Sequence, residues 1–263
     1  MSAADERARD VLAQLRDAPL ETQVAVKQGL EPVGPLDHPR YDIKLGCDTD
    51  VELFRLGSCA KEPETVAWIE RTFRPGDVLY DVGANVGAYS FLAAEHGGPE
   101  SAVYAFEPTF STYAGLARNV ILNGAEGRVV PLNVALDSET GFAPLSFSSL
   151  RAGGAMHTFG ERPEGEGAWQ PVLAFRLDDL VEQFALRPPT HLKLDVDGAE
   201  LPMLQGAPAT IRSAGLRTVL VEVTESQPDA EPIVRLLADA GFRETARHLH
   251  ERSGVTNVIL ERA

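Results

Sequence analysis

The sequence predicts an α/β fold in which helices cover both faces of a doubly wound, mostly parallel sheet. From residue 78 onward, short apolar runs alternate with stretches of helical periodicity, which is typical of parallel strands joined by helical crossovers. A glycine-containing turn follows the first of these runs directly. The last two strand-like segments, 243–250 and 256–262, follow one another without a helix between them, so we expect an antiparallel edge strand at the C-terminus.

The repeating unit predicts the elements in order. The strands are VLYDVG (78–83), AVYAFEP (102–108), RVVPLNVAL (128–136), HLKLDVDG (191–198) and TVLVEVTE (218–225). The helices are AYSFLAAEHG (88–97), FSTYAGLARNVILNG (110–124), AELPMLQGAPATIRSAG (199–215) and EPIVRLLADAGF (231–242), preceded by one at 62–73 that Pro75-Gly76 ends.

Two segments fall outside this repeat. Residues 1–60 are predicted to form an N-terminal extension: a polar helix over 1–30, a proline-marked loop over 31–40, and two short strands near 41–46 and 51–56. Residues 61–263 then form the main domain. Within it, residues 139–176 are glycine-rich and show no clear period, so they are predicted to be an insert, with 150–168 as a lid over the site.

Bulk properties limit the partners. The formal net charge is −15, which would repel a phosphate backbone, so nucleic acid is not expected to bind. No apolar run reaches the ~18–20 residues of a membrane span, and the N-terminus lacks a signal-peptide pattern. We therefore expect a cytoplasmic protein whose Cys47 and Cys59 are reduced, although a disulfide across a hairpin stays open. The apolar stripe of the first helix is a candidate contact for homo-oligomers.

The first chemical motif is the turn DVGANVG at 81–87, between a strand and a helix, where α/β sheets bind nucleotides. Gly83 and Gly87 allow a sharp turn and a close approach of ligand to backbone. Asn85 replaces the middle glycine that admits a pyrophosphate in dinucleotide-binding folds. This argues against NAD and favours a ligand without a diphosphate, such as S-adenosylmethionine, whose ammonium group Asp81 could bind.

The second motif is Glu107-Pro108, at the end of the next predicted strand. An acidic residue about 20 positions beyond the glycine turn commonly binds the hydroxyls of a ribose. Charge-assisted hydrogen bonds of this kind contribute about 1.5–3 kcal/mol each. Glu107 is therefore predicted to bind the cofactor, with Pro108 fixing the exit of the strand.

The third motif is LKLDVDGAE at 192–200. Strand alternation places Lys193, Asp195 and Asp197 on one face, near the carboxyl end of a central strand. Charges there are costly unless they pair or have a function. Although DxDG resembles the opening of a calcium loop, the later ligands are missing, and no metal site is predicted.

Taken together, these motifs resemble the FkbM family of S-adenosylmethionine-dependent methyltransferases. The resemblance rests on YDVGANVGAYS (80–90), VYAFEP (103–108), NVALDSETG (133–141), RLDDL (176–180), LKLDVDGAELPMLQG (192–206) and VEV (221–223). It implies a Rossmann-like, seven-stranded methyltransferase sheet and O-methylation of a hydroxyl, often on a sugar or a polyketide.

By the same resemblance, several positions fall in the cofactor site: Asp81, Gly83, Asn85, Gly87, Glu107 and Pro108, with Asn133 and Ala135 near the adenine. Asp197 stands where the family commonly has Glu, so its carboxylate is one methylene shorter. If Asp197 contacts the substrate, this difference alters selectivity.

A hydroxyl acceptor needs a base, which contributes typically 10²–10⁴-fold to the rate. The candidates are Asp195, with Lys193 as its counter-charge, Glu222 in the next strand, and His157 in the insert, which could also contact the substrate. Three alternatives stay open: an N-methyltransferase acting on an amide or amine, an NAD-dependent dehydrogenase, and a non-catalytic nucleotide-binding module. The last has no need for three charges at the site.

Overall fold

The computed structural model describes residues 3–147, 152–154, 158–160, 162, 167–196, 198–251 and 253–263. Its strands are β1 (Val33–Pro35), β2 (Lys44–Gly46), β3 (Val78–Val82), β4 (Ala102–Phe106), β5 (Val129–Leu132), β6 (Ala135–Leu136), β7 (Gly141–Ser146), β8 (Thr158–Phe159), β9 (Trp169–Phe175), β10 (His191–Leu194), β11 (Thr218–Thr224), β12 (Phe242–His250) and β13 (Val255–Arg262).

The helices alternate with these strands. They are α1 (Ala3–Arg16), α2 (Leu20–Gly29), α3 (Asp50–Arg55), α4 (Ser58–Lys61), α5 (Pro63–Thr72), α6 (Ala88–Gly97), α7 (Phe110–Leu122), α8 (Leu177–Phe184), α9 (Glu200–Gln205), α10 (Pro208–Arg212) and α11 (Ala230–Asp239).

A seven-stranded sheet forms the centre, with the strand order β12-β13-β11-β10-β3-β4-β5. The five strands from β11 to β5 run parallel, whereas β13 pairs antiparallel with both β11 and β12. This confirms the doubly wound α/β sheet with an antiparallel C-terminal edge. The chain leaves β3 toward β4 and later returns to place β10 on the other side of β3. Ligands bind at such a switch point, outside the carboxyl ends of the strands.

Each face of the sheet carries its own core. On one face, α8 to α11 bury apolar side chains such as Leu180, Met203 and Leu237 against alternate residues of the strands. On the other face, α5, α6 and α7 bury Trp68, Phe91 and other side chains. Both faces of the parallel strands are therefore covered, which explains why those strands read as continuous apolar runs.

The N-terminal segment departs from the prediction in three places, one of which is that β1 forms within the predicted loop over 31–40. A strand was expected near 51–56, but α3 forms there, because Thr49 and Glu52 make a reciprocal capping box that starts a helix. The single helix expected over 1–30 is interrupted, and Pro19 caps the start of α2. The β1–β2 hairpin packs on α7, where Asn119 accepts a hydrogen bond from Gly46 N at 2.8 Å.

The insert also contains regular structure that its sequence did not indicate. Strands β7 to β9 of the insert join β6, which precedes the insert and was predicted as the end of the strand over 128–136, in a second, four-stranded sheet with the order β6-β9-β7-β8. Pro144 and Pro171 lie opposite each other where β7 pairs with β9, and proline normally argues against a strand. Cys47 and Cys59 are both buried and free. Among the described residues, no helix is long and apolar enough to span a membrane.

Candidate active site at the carboxyl ends of the central strands

A cavity of about 570 Å³ opens where β3, β4, β10 and β11 end. The four strand ends contribute Gly83, Glu107, Asp195 and Glu222 to its wall. The insert contributes Leu145 and Phe159, among others, so the second sheet forms part of the same wall. The volume is within the range of about 300–1,000 Å³ that is usual for small-molecule and cofactor sites.

The glycine turn has the conformation that its sequence requires. Gly83 has φ 82°, and a Cβ there would lie 1.7 Å from the carbonyl oxygen of Asp195, so only glycine fits. Gly87 has φ 94° and precedes the first residue of α6. Asn85 is itself left-handed, with φ 51°, a conformation that asparagine tolerates better than most residues. Gly83 and Asn85 line the cavity, whereas Gly87 lies behind the turn.

Glu107 is buried beside the apolar end of the cavity. One of its carboxylate oxygens accepts from Asn85 N at 3.1 Å and the other from Thr109 N at 2.8 Å, so the backbone holds the carboxylate in place. Burial nevertheless raises the pKa of Glu107 to about 7, although the two amides lower it. The group therefore changes charge near neutral pH.

The predicted adenine edge lies beside Glu107. Asn133 does not line the cavity; its amide Nδ2 donates to the carbonyl oxygens of Glu107, at 2.9 Å, and Pro108, at 3.1 Å, and so fixes the chain between β4 and α7. Pro108 and Ala135 line the wall. Apolar side chains complete this end: Phe106, Val134, Leu136, Leu145 and Phe159. A flat aromatic ring could be enclosed here.

A trio of ionisable side chains, of which Lys193 and Asp81 are buried, lies beneath the turn. Lys193 Nζ is 3.0 Å from Asp195 Oδ2 and 3.7 Å from Asp81 Oδ1. Asp81 is only 1% exposed, accepts from Ser90 Oγ at 2.6 Å, and lies behind the cavity wall. The predicted pairing of Lys193 with Asp195 is present. The predicted contact of Asp81 with a ligand ammonium stays a prediction, since Asp81 is oriented toward Lys193.

The electrostatics of the trio favour a charged pair at the cavity. Burial would lower the pKa of Lys193, but Asp195 and Asp81 outweigh it and raise the pKa. Burial would raise the pKa of Asp195, but the neighbouring Lys193 ammonium lowers it below the usual value. Asp195, which lines the cavity, is therefore ionised at neutral pH.

Glu222 lies alongside Asp195, because Leu194 of β10 pairs with Val221 of β11. Burial, and then the negative charge of Asp195, raise the pKa of Glu222 to about 8. Two neighbouring carboxyl groups at this end of the cavity are thus in different states at neutral pH, which is a common basis for dividing acid and base roles.

Three other wall residues carry no role in the sequence-based prediction. Glu200 accepts from the backbone amides of Val196, at 3.1 Å, and Gly198, at 3.3 Å, and so shapes the turn after Asp195. An acidic residue at the start of a helix, just after Gly198, is the sequence feature from which this role could have been predicted. Arg55 and Lys61 line the wall from α3 and α4. They lie on either side of the predicted boundary between the extension and the main domain, away from the three sequence motifs.

Two predicted substrate residues, His157 and Asp197, lie outside the described residues. Strand β10 ends at Leu194, and the chain turns after Asp195. The alternation that was predicted through residue 197 therefore applies to Lys193 and Asp195, which are in contact.

Comparison with known proteins identifies the family. The model of the family described as "Methyltransferase FkbM domain" matches residues 81–244, more than half of the chain. The chain belongs to the FkbM methyltransferase family. The match begins at the glycine turn and spans Glu107, Asp195 and Glu222.

Two curated relatives match most of the chain. The "Hexuronic acid methyltransferase AglP" of Haloferax volcanii is 28% identical over 200 residues, which are 76% of this chain and 77% of the relative. The "31-O-demethyl-FK506 methyltransferase FkbM" of Streptomyces tacrolimicus is 29% identical over 205 residues, and the match covers 66% of this chain and 75% of the relative. The crystal structure of methyltransferase FkbM from Methylobacillus flagellatus shares the fold, with a TM-score of 0.54 and 15% identity, over 80% of this chain and 52% of that one.

Proposed function

We propose that the protein is an S-adenosylmethionine-dependent O-methyltransferase that acts on a hydroxyl group of a small molecule such as a sugar or a polyketide. The observation that carries this proposal is the ionised Asp195, held by Lys193 beside the glycine turn. Membership of the FkbM family supports the reaction class, and the names of the relatives support a small-molecule acceptor.

The chemistry of the cavity fits the proposed cofactor. Glu107 presents a carboxylate to ribose hydroxyls, and the apolar end beyond Pro108 accepts an adenine ring. The turn at Gly83 and Asn85 brings backbone close to the space between Glu107 and Asp195. When bound, the cofactor supplies an activated methyl group, so the protein mainly has to position and deprotonate the acceptor.

The other end of the cavity suits a hydroxylated acceptor. Polar groups that can exchange hydrogen bonds with hydroxyls line its wall. They belong to Glu222, Thr224, Gln227, Asp229 and Ser253. Asp195 would accept the proton of the acceptor hydroxyl, and Glu222, which is protonated below about pH 8, would donate a hydrogen bond to a neighbouring oxygen. Lys193 keeps Asp195 charged and oriented, and a well-positioned pair of reactants can gain roughly 7–11 kcal/mol.

The test is methyl transfer from isotope-labelled S-adenosylmethionine to matched panels of acceptors that carry either hydroxyls or amines, followed by mass spectrometry. We expect the label on a hydroxyl oxygen. Transfer to amines alone would favour the N-methyltransferase alternative. Calorimetry with S-adenosylhomocysteine and NAD is the companion measurement, and binding of NAD alone would reject the proposed cofactor.

A further inference from the structure

A second, smaller cleft adjoins the cavity on the side of the N-terminal segment. Its volume is about 30 Å³, enough for one small polar group. One wall is the glycine turn and the start of α6: Gly83, Ala84, Asn85, Val86, Ala88 and Tyr89. The opposite wall comes from α3, α4 and the residue between α4 and α5: Arg55, Ser58, Lys61 and Glu62. Lys193 and Asp195 form the base of the cleft.

Arg55 and Lys61 line both the cleft and the large cavity, and they are the cationic side chains of the described cavity wall. Both lower the pKa of Asp195, and Arg55 also lowers the pKa of Glu107, so their charges reach the reaction centre. Lys193 is already paired with two carboxylates. Lys61 Nζ lies 2.7 Å from Glu62 Oε1, and Glu62 also lines the cleft, so a ligand carboxylate there would share Lys61 with Glu62. Arg55 forms no ion pair with a carboxylate of the described residues and is the main source of unpaired positive charge at the cleft.

The guanidinium of Arg55 is held in a fixed orientation. Its Nε and Nη2 donate to the carbonyl oxygen of Gly153, at 3.2 and 2.7 Å. The segment Ala152–Gly154 is itself fixed, because Asn85 Nδ2 donates to Gly154 O at 2.9 Å and Thr49 Oγ1 to Ala152 O at 2.9 Å. No described residue accepts from the third guanidinium nitrogen, Nη1. A donor therefore remains on a side chain that is already positioned.

The N-terminus of α6 adds positive electrostatic potential at the cleft. This helix has ten residues, follows Gly87, and places Ala88 in the wall of the cleft. The first amides of a helix point outward without intrahelical partners and favour an anion. Two cationic side chains and a helix N-terminus thus surround a space of the size of one carboxylate.

We propose that Arg55 and Lys61 bind a carboxylate at this cleft, and that the carboxylate is that of the amino-acid portion of S-adenosylmethionine. The inference rests on the proposed function. A cofactor whose ribose was bound by Glu107 and whose methyl group faced Asp195 would have its amino-acid portion near the cleft, because Gly83, Asn85 and Asp195 line both the cavity and the cleft. Residues 49–61, which the sequence assigns mostly to an extension, then complete the cofactor site.

Calorimetry with two ligands tests this assignment without any acceptor. S-adenosylhomocysteine carries the amino-acid portion, whereas 5′-methylthioadenosine lacks it. We expect Arg55→Met and Lys61→Met each to weaken S-adenosylhomocysteine binding by roughly 10- to 100-fold, the range of a hydrogen bond to a charged group. Lys61→Met should not alter methylthioadenosine binding by more than about twofold. Arg55→Met should not do so at a pH well above the pKa of Glu107, where Glu107 is ionised even without the neighbouring guanidinium. Arg235→Met, an exposed cation on α11, is the matched control and should bind both ligands like wild type.

The outcomes separate the two proposals. If wild type binds neither ligand, the proposed function fails. If wild type binds both, and the variants lose affinity for both equally, Arg55 and Lys61 support the whole cavity and the carboxylate assignment is wrong. If the variants bind both ligands normally but show a raised KM for an acidic acceptor, the carboxylate belongs to the acceptor, which also overturns the assignment. Because the side chain of Lys61 is 62% exposed, its variant keeps the fold even if Arg55→Met does not.

Discussion

Glu107 and Glu222 lie at opposite ends of one cavity, and burial raises the pKa of both, to about 7 and about 8. Their surroundings differ. Two backbone amides hold the carboxylate of Glu107, and apolar side chains enclose the space beside it. Glu222 instead lies beside the charged pair of Lys193 and Asp195, and the wall at this end mixes polar side chains with Val223, Ile233 and Val255.

Under the proposed function, this difference corresponds to two binding regions in one cavity, one for the cofactor and one for the acceptor. At the Glu107 end, the backbone of the strand ends determines the shape, which suits a cofactor that is the same in every member of a family. At the Glu222 end, side chains of β11 and the C-terminal hairpin determine the chemistry, so this end can change with the acceptor. Variants at the two ends should therefore affect different measurable quantities.

The largest effect is expected at Asp195. Asp195→Asn keeps the shape of the side chain but removes the charge that Lys193 stabilises, so turnover should fall by about 10²-fold or more, the scale of lost base catalysis. Affinity for S-adenosylhomocysteine should change little. Asp239→Asn, at an exposed helix end, is the control. If turnover stays near wild type, Asp195 is structural, and Glu222 becomes the better candidate for the base.

Glu107 should show the opposite pattern. Glu107→Ala removes the carboxylate that we assign to the ribose, and cofactor affinity should fall by about 2–4 kcal/mol, the value of one or two charge-assisted hydrogen bonds. Calorimetry measures the loss, and circular dichroism checks the fold. If the variant binds the cofactor as tightly as wild type, Glu107 is not a cofactor ligand, and the assignment of the two ends of the cavity to cofactor and acceptor is wrong.

The raised pKa of Glu222 can be tested through the pH dependence of protein stability. Because the folded pKa, about 8, exceeds the ordinary 4.5, the folded protein keeps a proton that the unfolded chain has lost. The contribution of Glu222 to wild-type stability should therefore decrease as the pH rises from about 4.5 to 8. Glu222→Gln cannot ionise, so its free energy of unfolding should rise relative to wild type by about 1–3 kcal/mol across that window. Chemical denaturation at several pH values measures this, and a constant difference would contradict the raised pKa.

The same contrast explains what the sequence could predict. The glycine turn, Glu107 and the charged pair of β10 each follow a strand of a regular βα repeat, and short-range patterns determine both the strand and the turn. The fold and the carboxyl-end position of the site were therefore predictable. For Asp81, the motif indicated a ligand contact, which stays a prediction; the motif did not indicate that the side chain accepts from Ser90 and lies 3.7 Å from Lys193, more than a hundred residues away.

The other regions depend on long-range pairing. Strands β7 and β9 place prolines opposite each other, so their own sequences do not indicate a sheet. The segment near 51–56 was assigned to a strand, although Thr49 and Glu52 have the spacing of a capping box. The guanidinium of Arg55 is oriented by the carbonyl of Gly153, 98 positions away in the sequence, and no local pattern reveals this contact.

The smallest expected effect is a pH dependence confined to the cofactor end. With a pKa of about 7, Glu107 is mostly neutral near pH 6 and mostly ionised near pH 8, and only the ionised form accepts hydrogen bonds from ribose hydroxyls through both oxygens. Affinity for 5′-methylthioadenosine, which has no amino-acid portion to titrate, should therefore rise by up to about tenfold between these pH values and then level off. Glu107→Gln should bind weakly and independently of pH. Glu222→Gln should keep the wild-type pH dependence, and if it abolishes that dependence, the two ends of the cavity titrate as one site rather than separately.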